Sequence, residues 1–233
     1  MSPEPETETT LSDTLSAALQ RHDISLPESQ VALLERYCQA LWDWNEKVNL
    51  TRHTDYEKFV SRDVIDSVQA AGLLEPGESV LDVGSGGGVP GVLLAILRPD
   101  VNVSLCESVR KKADVLRDIV GQVGLKTPVF AQRAEEVLQA QAFDVLIARA
   151  VGPMEKILFW VKDSWDHIGR MLLIKGPKWS EERGAARHRG LLHDLELRKA
   201  AEYPMPGTES NSVILKLWPK ARGESLASGK KRA

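Results

Sequence analysis

The stretch that most constrains this chain is Val80-Leu81-Asp82-Val83-Gly84-Ser85-Gly86-Gly87-Gly88-Val89-Pro90-Gly91: an apolar run, a cluster of glycines, and a proline that introduces a second apolar run. Residues 79–83 read as a fully buried strand, and Pro90 ahead of Val92-Leu93-Leu94-Ala95-Ile96-Leu97 reads as the first turn of a helix. Glycines are needed between them because the loop must take positive backbone torsions and let a ligand lie directly on the main chain, while the helix start offers unpaired N–H groups. The expectation is a nucleotide cradle rather than a loop that merely turns the chain.

Two details decide which nucleotide. The spacing of Gly86, Gly88 and Gly91 matches the dinucleotide fingerprint, yet a diphosphate wants free donors there and Pro90 has no N–H to give. Read from Asp82, the same residues spell Asp-x-Gly-x-Gly-x-Gly, with a carboxylate beside the cradle. A carboxylate repels a diphosphate and attracts a cation. S-adenosylmethionine, which carries an ammonium and a sulfonium but no phosphate, is the ligand this chemistry selects.

The chain has 233 residues, enough for one enzyme-sized unit with a sizeable core, and a net charge of −3, so nucleic-acid binding would have to rest on a local basic face. Cys38 falls in a helix-like stretch and Cys106 in a strand-like one, with no metal spacing between them, so both read as reduced, buried thiols and no metal is expected. Met1 to Thr10 is acidic rather than basic and apolar, and no apolar stretch approaches membrane-spanning length; a soluble cytoplasmic protein, monomeric and without a membrane partner, is expected.

Four regions are expected. Residues 1–10 form a disordered acidic terminus and 11–76 a helical lead-in packed on the catalytic domain, which spans 77–218; a basic flexible tail covers 219–233. In the lead-in, Leu11, Leu15, Ala18 and Leu19 recur at helical spacing, as do Val31, Leu34, Cys38, Leu41 and Trp42 after Pro27. Thr54 with Glu57 predicts a capping box for a third helix bearing Phe59, Val60, Val64, Ile65 and Val68. From Ser79 strands alternate with helices, the pattern of a doubly wound α/β sheet. Strands are predicted at 79–83, 101–107, 128–131, 143–148, 170–175, 195–203 and 212–218, with helices at 110–123, from Arg133 onward, and at 180–192.

Ligands of such sheets lie at the carboxyl ends of the strands. Glu107, just after the second strand, is placed to accept hydrogen bonds from both ribose hydroxyls, with Ser108 and Val109 flanking the adenine. After the third strand, a backbone N–H at Ala134 and the side chain of Glu135 could read the adenine edge, although acids are common in a first helical turn. The fourth strand ends in Ala148-Arg149-Ala150 and lacks the Asn/Asp-Pro-Pro-aromatic turn of methyltransferases that act on exocyclic amines. Pyrimidine C5 chemistry needs a cysteine nucleophile, and neither cysteine falls at the active face. What remains is a target whose lone pair is already available, of which guanine N7 is the clearest nucleic-acid example.

The combination Trp44-Asn45-Glu46-Lys47-Val48-Asn49-Leu50-Thr51, Arg62 with Ile65-Asp66-Ser67, the 81–91 segment, Arg133-Ala134-Glu135, Arg149-Ala150 and Lys175-Gly176 resembles the small-subunit rRNA (guanine-N7) methyltransferase family, also called glucose-inhibited division protein B, over about residues 28–218. The resemblance implies a Rossmann-like class I methyltransferase fold, a seven-stranded mostly parallel sheet flanked by helices with an N-terminal helical extension. It implies S-adenosylmethionine as donor and 7-methylguanosine in 16S rRNA as product. Donor contacts would fall on Gly84, Val89, Glu107, Ser108, Val109, Ala134, Glu135 and Arg149, beside the Asp82, Gly86 and Gly88 read from the loop itself. This chain departs from the family in having Asp63 in place of His, Glu107 where Asp is frequent, and Ser85 and Gly87 within the loop; Asp63 reads as a solvated side chain.

The mechanism this predicts is in-line displacement by guanine N7 with no proton to remove, so that positioning, worth at most about 7–11 kcal/mol in favourable cases, replaces a general base. Arg149 is the candidate catalytic residue, a wall between donor and base, with a surface salt bridge to Glu135 as the plainer reading. Asn45 and Asn49, one helical turn apart, either hold the base or cap and cross-link helices. Guanine N7 lies in the deep groove of A-form RNA, so the target must be unpaired or extruded. Arg62, Lys175 and Lys178 are candidate RNA contacts, joined by Arg52, His53, Lys58, Arg183, Arg187, His188 and Arg189; Trp42 and Trp44 are either stacking platforms or core. The competing readings are a same-fold methyltransferase acting on a small molecule, a nucleotide-binding oxidoreductase, which Asp82 and Pro90 disfavour, and a non-catalytic RNA-binding module.

Overall fold

A computed structural model of the chain describes residues 14–222. The terminus at 1–10, Leu11 and all but the first residues of the 219–233 tail lie outside that range. Seven strands form one sheet in the order β3-β2-β1-β4-β5-β7-β6. They are β1 (Ser79–Val83), β2 (Asn102–Cys106), β3 (Val129–Phe130), β4 (Phe143–Arg149), β5 (Ile168–Lys175), β6 (Leu195–Pro204) and β7 (Asn211–Pro219). The neighbours from β3 through β5 are parallel, and β7 inserts antiparallel beside β5 and pairs with β6 as a hairpin. This is the doubly wound, mostly parallel architecture of a class I methyltransferase.

Alternation along the strands separates two cores. Val80, Leu105, Ile147 and Leu172 point to one face, which packs on α2 (Glu28–Asn45), α5 (Gly91–Leu97) and α6 (Arg110–Val123) through Leu34, Leu41, Leu93 and Leu116. Leu81, Leu146, Leu173 and Leu215 point to the other, covered by α7 (Ala134–Ala140), α8 (Met154–Val161) and α9 (Trp179–His188). The lead-in helices, including α1 (Leu15–Arg21), share the first core. Fully buried Tyr37 of α2 reaches the glycine loop, its hydroxyl donating to the Gly87 carbonyl at 2.9 Å.

Local chemistry corrects several expectations. Pro90 caps α5 rather than entering it, and Gly91 is the first helical residue. The capping box at Thr54 does not form: Asp55 caps α3 (Tyr56–Lys58) by accepting from the Lys58 N–H at 2.7 Å, while Glu57 turns away to Arg21 and His22. The helix continues through a π segment, Phe59–Val64, into α4 (Ile65–Ala71), which keeps Phe59, Val60 and Val64 buried while turning Asp63 and Asp66 inward as well. A helix the sequence reading assigned to no element, α8, crosses from β4 to β5, and α9 ends at His188, four residues before the predicted end.

Among the described residues no helix is long and apolar enough to cross a membrane, and no cluster of side chains suited to a metal ion is found.

Candidate active site

The strand order reverses between β1 and β4, and the crevice outside their carboxyl ends is where such a sheet binds its ligand. The loop after β1 is tied down by the Gly84 and Ser85 N–H groups, which donate to the Cys106 carbonyl at 2.8 and 3.1 Å. Gly88, at φ +108, takes a conformation closed to other residues, and a Cβ there would lie 2.6 Å from Val92. At Gly84 a Cβ would lie 2.7 Å from Val151, so the chain after β4 leans directly on the loop.

Beside this loop is a cavity of about 300 Å³ lined by Gly84, Cys106, Ser108, Ala134, Glu135 and Val151 together with Gln132, Arg133, Lys156 and Trp160. Gly84, Ser108, Ala134 and Glu135 were expected here from sequence. Val151, Lys156 and Trp160 were not, because they belong to the turn after β4 and to the unassigned α8. Glu107 is buried between the lining residues Cys106 and Ser108, and its carboxylate accepts from the Gly86 N–H at 3.1 Å and the Val109 N–H at 2.8 Å. Each of its oxygens therefore keeps acceptor capacity. Val109 is 50% exposed, an uncovered apolar side chain at the start of α6.

Asp82 is sealed under the loop rather than lining the cavity. Its Oδ2 accepts from the Gly91 N–H at 3.1 Å, while Oδ1 is buried without a partner. Burial, with Glu107 adding to it, pushes the carboxyl up to about 7. Between about pH 4 and 7 the folded chain thus holds a proton that an unfolded chain has released, so raising the pH through that window costs stability. Asp82→Asn is expected to remove this dependence. Its stability relative to the parent should rise by roughly a few kcal/mol from pH 4 to pH 8 in urea unfolding, and parallel curves for the two proteins would refute the assignment.

The cavity beside the glycine loop, the buried Glu107 carboxylate between two of its lining residues and the orphaned Asp82 oxygen under the loop fit a cationic nucleoside such as S-adenosylmethionine.

Arg149 ends β4 and faces away from Glu135. Its Nε donates to Asp66 Oδ2 at 2.7 Å, and its Nη2 lies 2.7 Å from Asp63 Oδ1. Asp63 is therefore not solvated; it is 3% exposed, because the π segment points it inward, and it also meets His53 Nδ1 at 3.0 Å. Asp66 in turn accepts from the buried Tyr203 hydroxyl at 2.7 Å. Two carboxylates hold the guanidinium in its charged form against the cost of burial. The next residue, Ala150, sits at φ +56, a left-handed conformation uncommon outside glycine and held here at the mouth of the site. A second cavity of about 300 Å³ opens on this side, lined by Asp66, Arg149, Gly152, Lys175, Glu182 and Met205 among others.

The remaining candidates divide. Asn45 caps the chain after α2, its Oδ1 accepting from the Leu50 and Thr51 N–H groups, and Asn49 lies beyond the end of the helix, exposed, so the two do not share a helical face. Lys175 is buried and bonded to Glu182 and the Gly152 carbonyl, an internal contact rather than an open phosphate site. Arg62 lends its carbonyl to Arg149 and buries an unpartnered Nη1, while Lys178 is exposed at the start of α9. Trp42 and Trp44 are half-buried, with their indole N–H groups donating to the His53 carbonyl and to Asp118. Both cysteines are buried, and burial raises their thiols, that of Cys106 to about 12, so neither supplies a thiolate.

Comparisons with known proteins identify the family and the fold. The family model described as GidB, rRNA small subunit methyltransferase G, matches residues 30–204. Ribosomal RNA small subunit methyltransferase G of Rhodopirellula baltica is 50% identical over 188 residues, 81% of each chain, and that of Laribacter hongkongensis is 31% identical over 89% of this chain and 98% of its own. Among solved structures, TrmK of M. capricolum in complex with S-adenosyl-homocysteine superposes with a TM-score of 0.52 at 13% identity, covering 66% of this chain and 67% of that one. MtNAS in complex with MTA and tNA gives 0.51 at 17%, covering 88% and 82%. At such identities these two speak for the fold alone. With a family model spanning most of the chain and a relative identical at half its aligned positions, the chain belongs to the GidB, or rRNA small subunit methyltransferase G, family of S-adenosylmethionine-dependent methyltransferases.

Proposed function

We propose that this enzyme transfers a methyl group from S-adenosylmethionine to N7 of a guanine in 16S rRNA, free or within the small ribosomal subunit. The observation that carries the reading is the pair of cavities on either side of the 150–152 turn, one bordered by Gly84, Ser108 and Ala134, the other by Arg149 and Lys175. Two binding sites that abut, so that the reacting atoms can come within about 3–3.5 Å of each other, is what a direct transfer requires.

When bound, S-adenosylmethionine supplies a methyl group activated by the sulfonium. Glu107 would receive the ribose hydroxyls, Val109 and Ala134 would enclose the adenine, and the cationic end would draw Asp82, which otherwise keeps its proton up to about pH 7, into its carboxylate form. Arg149 cannot act as a base, since two carboxylates keep it protonated. Both thiols are protonated too, so neither cysteine offers a nucleophile. That chemistry favours an acceptor with a free lone pair and no proton to lose. Arg149 would stand against the guanine O6, its orientation set by Asp63 and Asp66.

The test is transfer of labelled methyl to unmethylated small subunits and to stripped 16S rRNA, followed by nucleoside analysis. Label in 7-methylguanosine is the expected result. Label at another atom, or none in either substrate, would refute the assignment. Transfer to rRNA should also weaken as salt is raised, whereas a small-molecule methyltransferase would be indifferent to it.

A further inference from the structure

We infer that Glu182 and Lys175 form a reader for the Watson–Crick edge of the target base, selecting guanine over adenine; the inference rests on the rRNA-guanine reading above. Along the carboxyl edge of the sheet the strands run β2, β1, β4, β5, so Glu107, Gly84, Arg149 and Lys175 follow one another across the site. Lys175 therefore lies one strand farther from the donor cavity than Arg149 does. Guanine presents N7, O6 and N1–H in that order around one side of its ring. A base whose N7 faces the donor cavity extends its O6 past Arg149 and brings N1–H to Lys175 and its partner.

The partner is suited to receive it. Glu182 Oε2 lies 2.8 Å from Lys175 Nζ and accepts from the Met154 N–H at 2.8 Å, which leaves Oε1 with no hydrogen bond among the described residues. Lys175 Nζ has three donors, of which two are taken by Glu182 and the Gly152 carbonyl, so one is left for O6. Donor beside acceptor is the complement of guanine O6 and N1–H. Adenine would set its N1 lone pair against the carboxylate and its amino group against the ammonium, two mismatches at once. Ile174 and Met205, which line the same cavity, give the ring apolar contact. Lys175 is nearly buried while the Glu182 side chain keeps 26% exposure, so the pair is held firmly and still reachable.

The experiment measures methyl transfer and donor affinity for the full chain and for Glu182→Gln, with small subunits reconstituted from rRNA carrying guanine or 1-methylguanine at the target. Gln keeps the size and an acceptor for the Met154 N–H but removes the charge that N1–H would meet. With guanine, Glu182→Gln should lower kcat/KM about ten- to a hundredfold with donor affinity unchanged. With 1-methylguanine the parent should fall by a similar factor and the variant no further. A variant that matches the parent on guanine, or that loses as much again on 1-methylguanine, would overturn the reader while leaving the rRNA reading intact. A parent that methylates no guanine would overturn both.

Discussion

Replacing Arg149 with alanine is expected to cost about 3–5 kcal/mol of stability and to abolish methyl transfer. The side chain neutralises two carboxylates that are themselves almost sealed, Asp63 and Asp66, and its loss leaves them buried with only the His53 ring and the Tyr203 hydroxyl as partners. Urea unfolding measures the first effect. The damage should be reversible in part: adding Asp63→Asn and Asp66→Asn to an Arg149→Met background removes the stranded charges and should recover stability but no activity. An alanine variant with parental stability would mean that the guanidinium is not holding α4 to the sheet. Arg149→Lys, which keeps the charge and loses the fork that reaches two acids, is expected to fall between the two.

The second large effect is expected at Gly91. A Cβ there would sit 2.2 Å from Leu105 Cδ2, 2.6 Å from Asp82 Oδ2 and 2.8 Å from Asp82 Cβ. Leu105 and Asp82 are both fully buried, so neither can move aside without disturbing β1 or β2. Gly91→Ala should therefore destabilise by about 3 kcal/mol and push α5 off the loop, with donor affinity lost together with the fold's register there. Calorimetric titration with S-adenosylmethionine and thermal unfolding would report both. Unchanged binding would show that the glycine is not needed for close packing of helix on strand. Gly121, where a Cβ would meet nothing within 4 Å, is the matching control.

These two residues also mark what the sequence could and could not reveal. The Ser79–Val83 strand and the Arg110–Val123 helix were legible to the residue, because glycines punctuate one and a strongly amphipathic pattern ending at Gly124 defines the other. The loop's role was legible for the same reason: glycine, proline and a neighbouring acid act locally. Arg149 could be picked out as a candidate, but its partners lie 83 and more residues away on a helix whose π turn no periodicity announces, so Asp63 was misread as solvated. The helix at Met154–Val161 was missed because Ile-Leu-Phe-Trp-Val reads equally well as a buried strand. With it went Lys156 and Trp160, which line the donor cavity. At Thr54-Asp55-Tyr56-Glu57 two capping patterns are offset by one residue; Asp55 takes the cap, while Glu57 is held by the distant Arg21 and His22.

In the proposed reaction the methyl donor lies along the glycine loop, with its ribose on Glu107 and its adenine between Val109 and Ala134. A crystal structure of the chain with S-adenosylmethionine measures this directly. Both ribose hydroxyls are expected within hydrogen-bonding distance of the Glu107 carboxylate, with the sulfonium methyl directed toward Arg149. A donor bound on the far side of the 150–152 turn, or one leaving Glu107 bonded only to Gly86 and Val109, would contradict this placement.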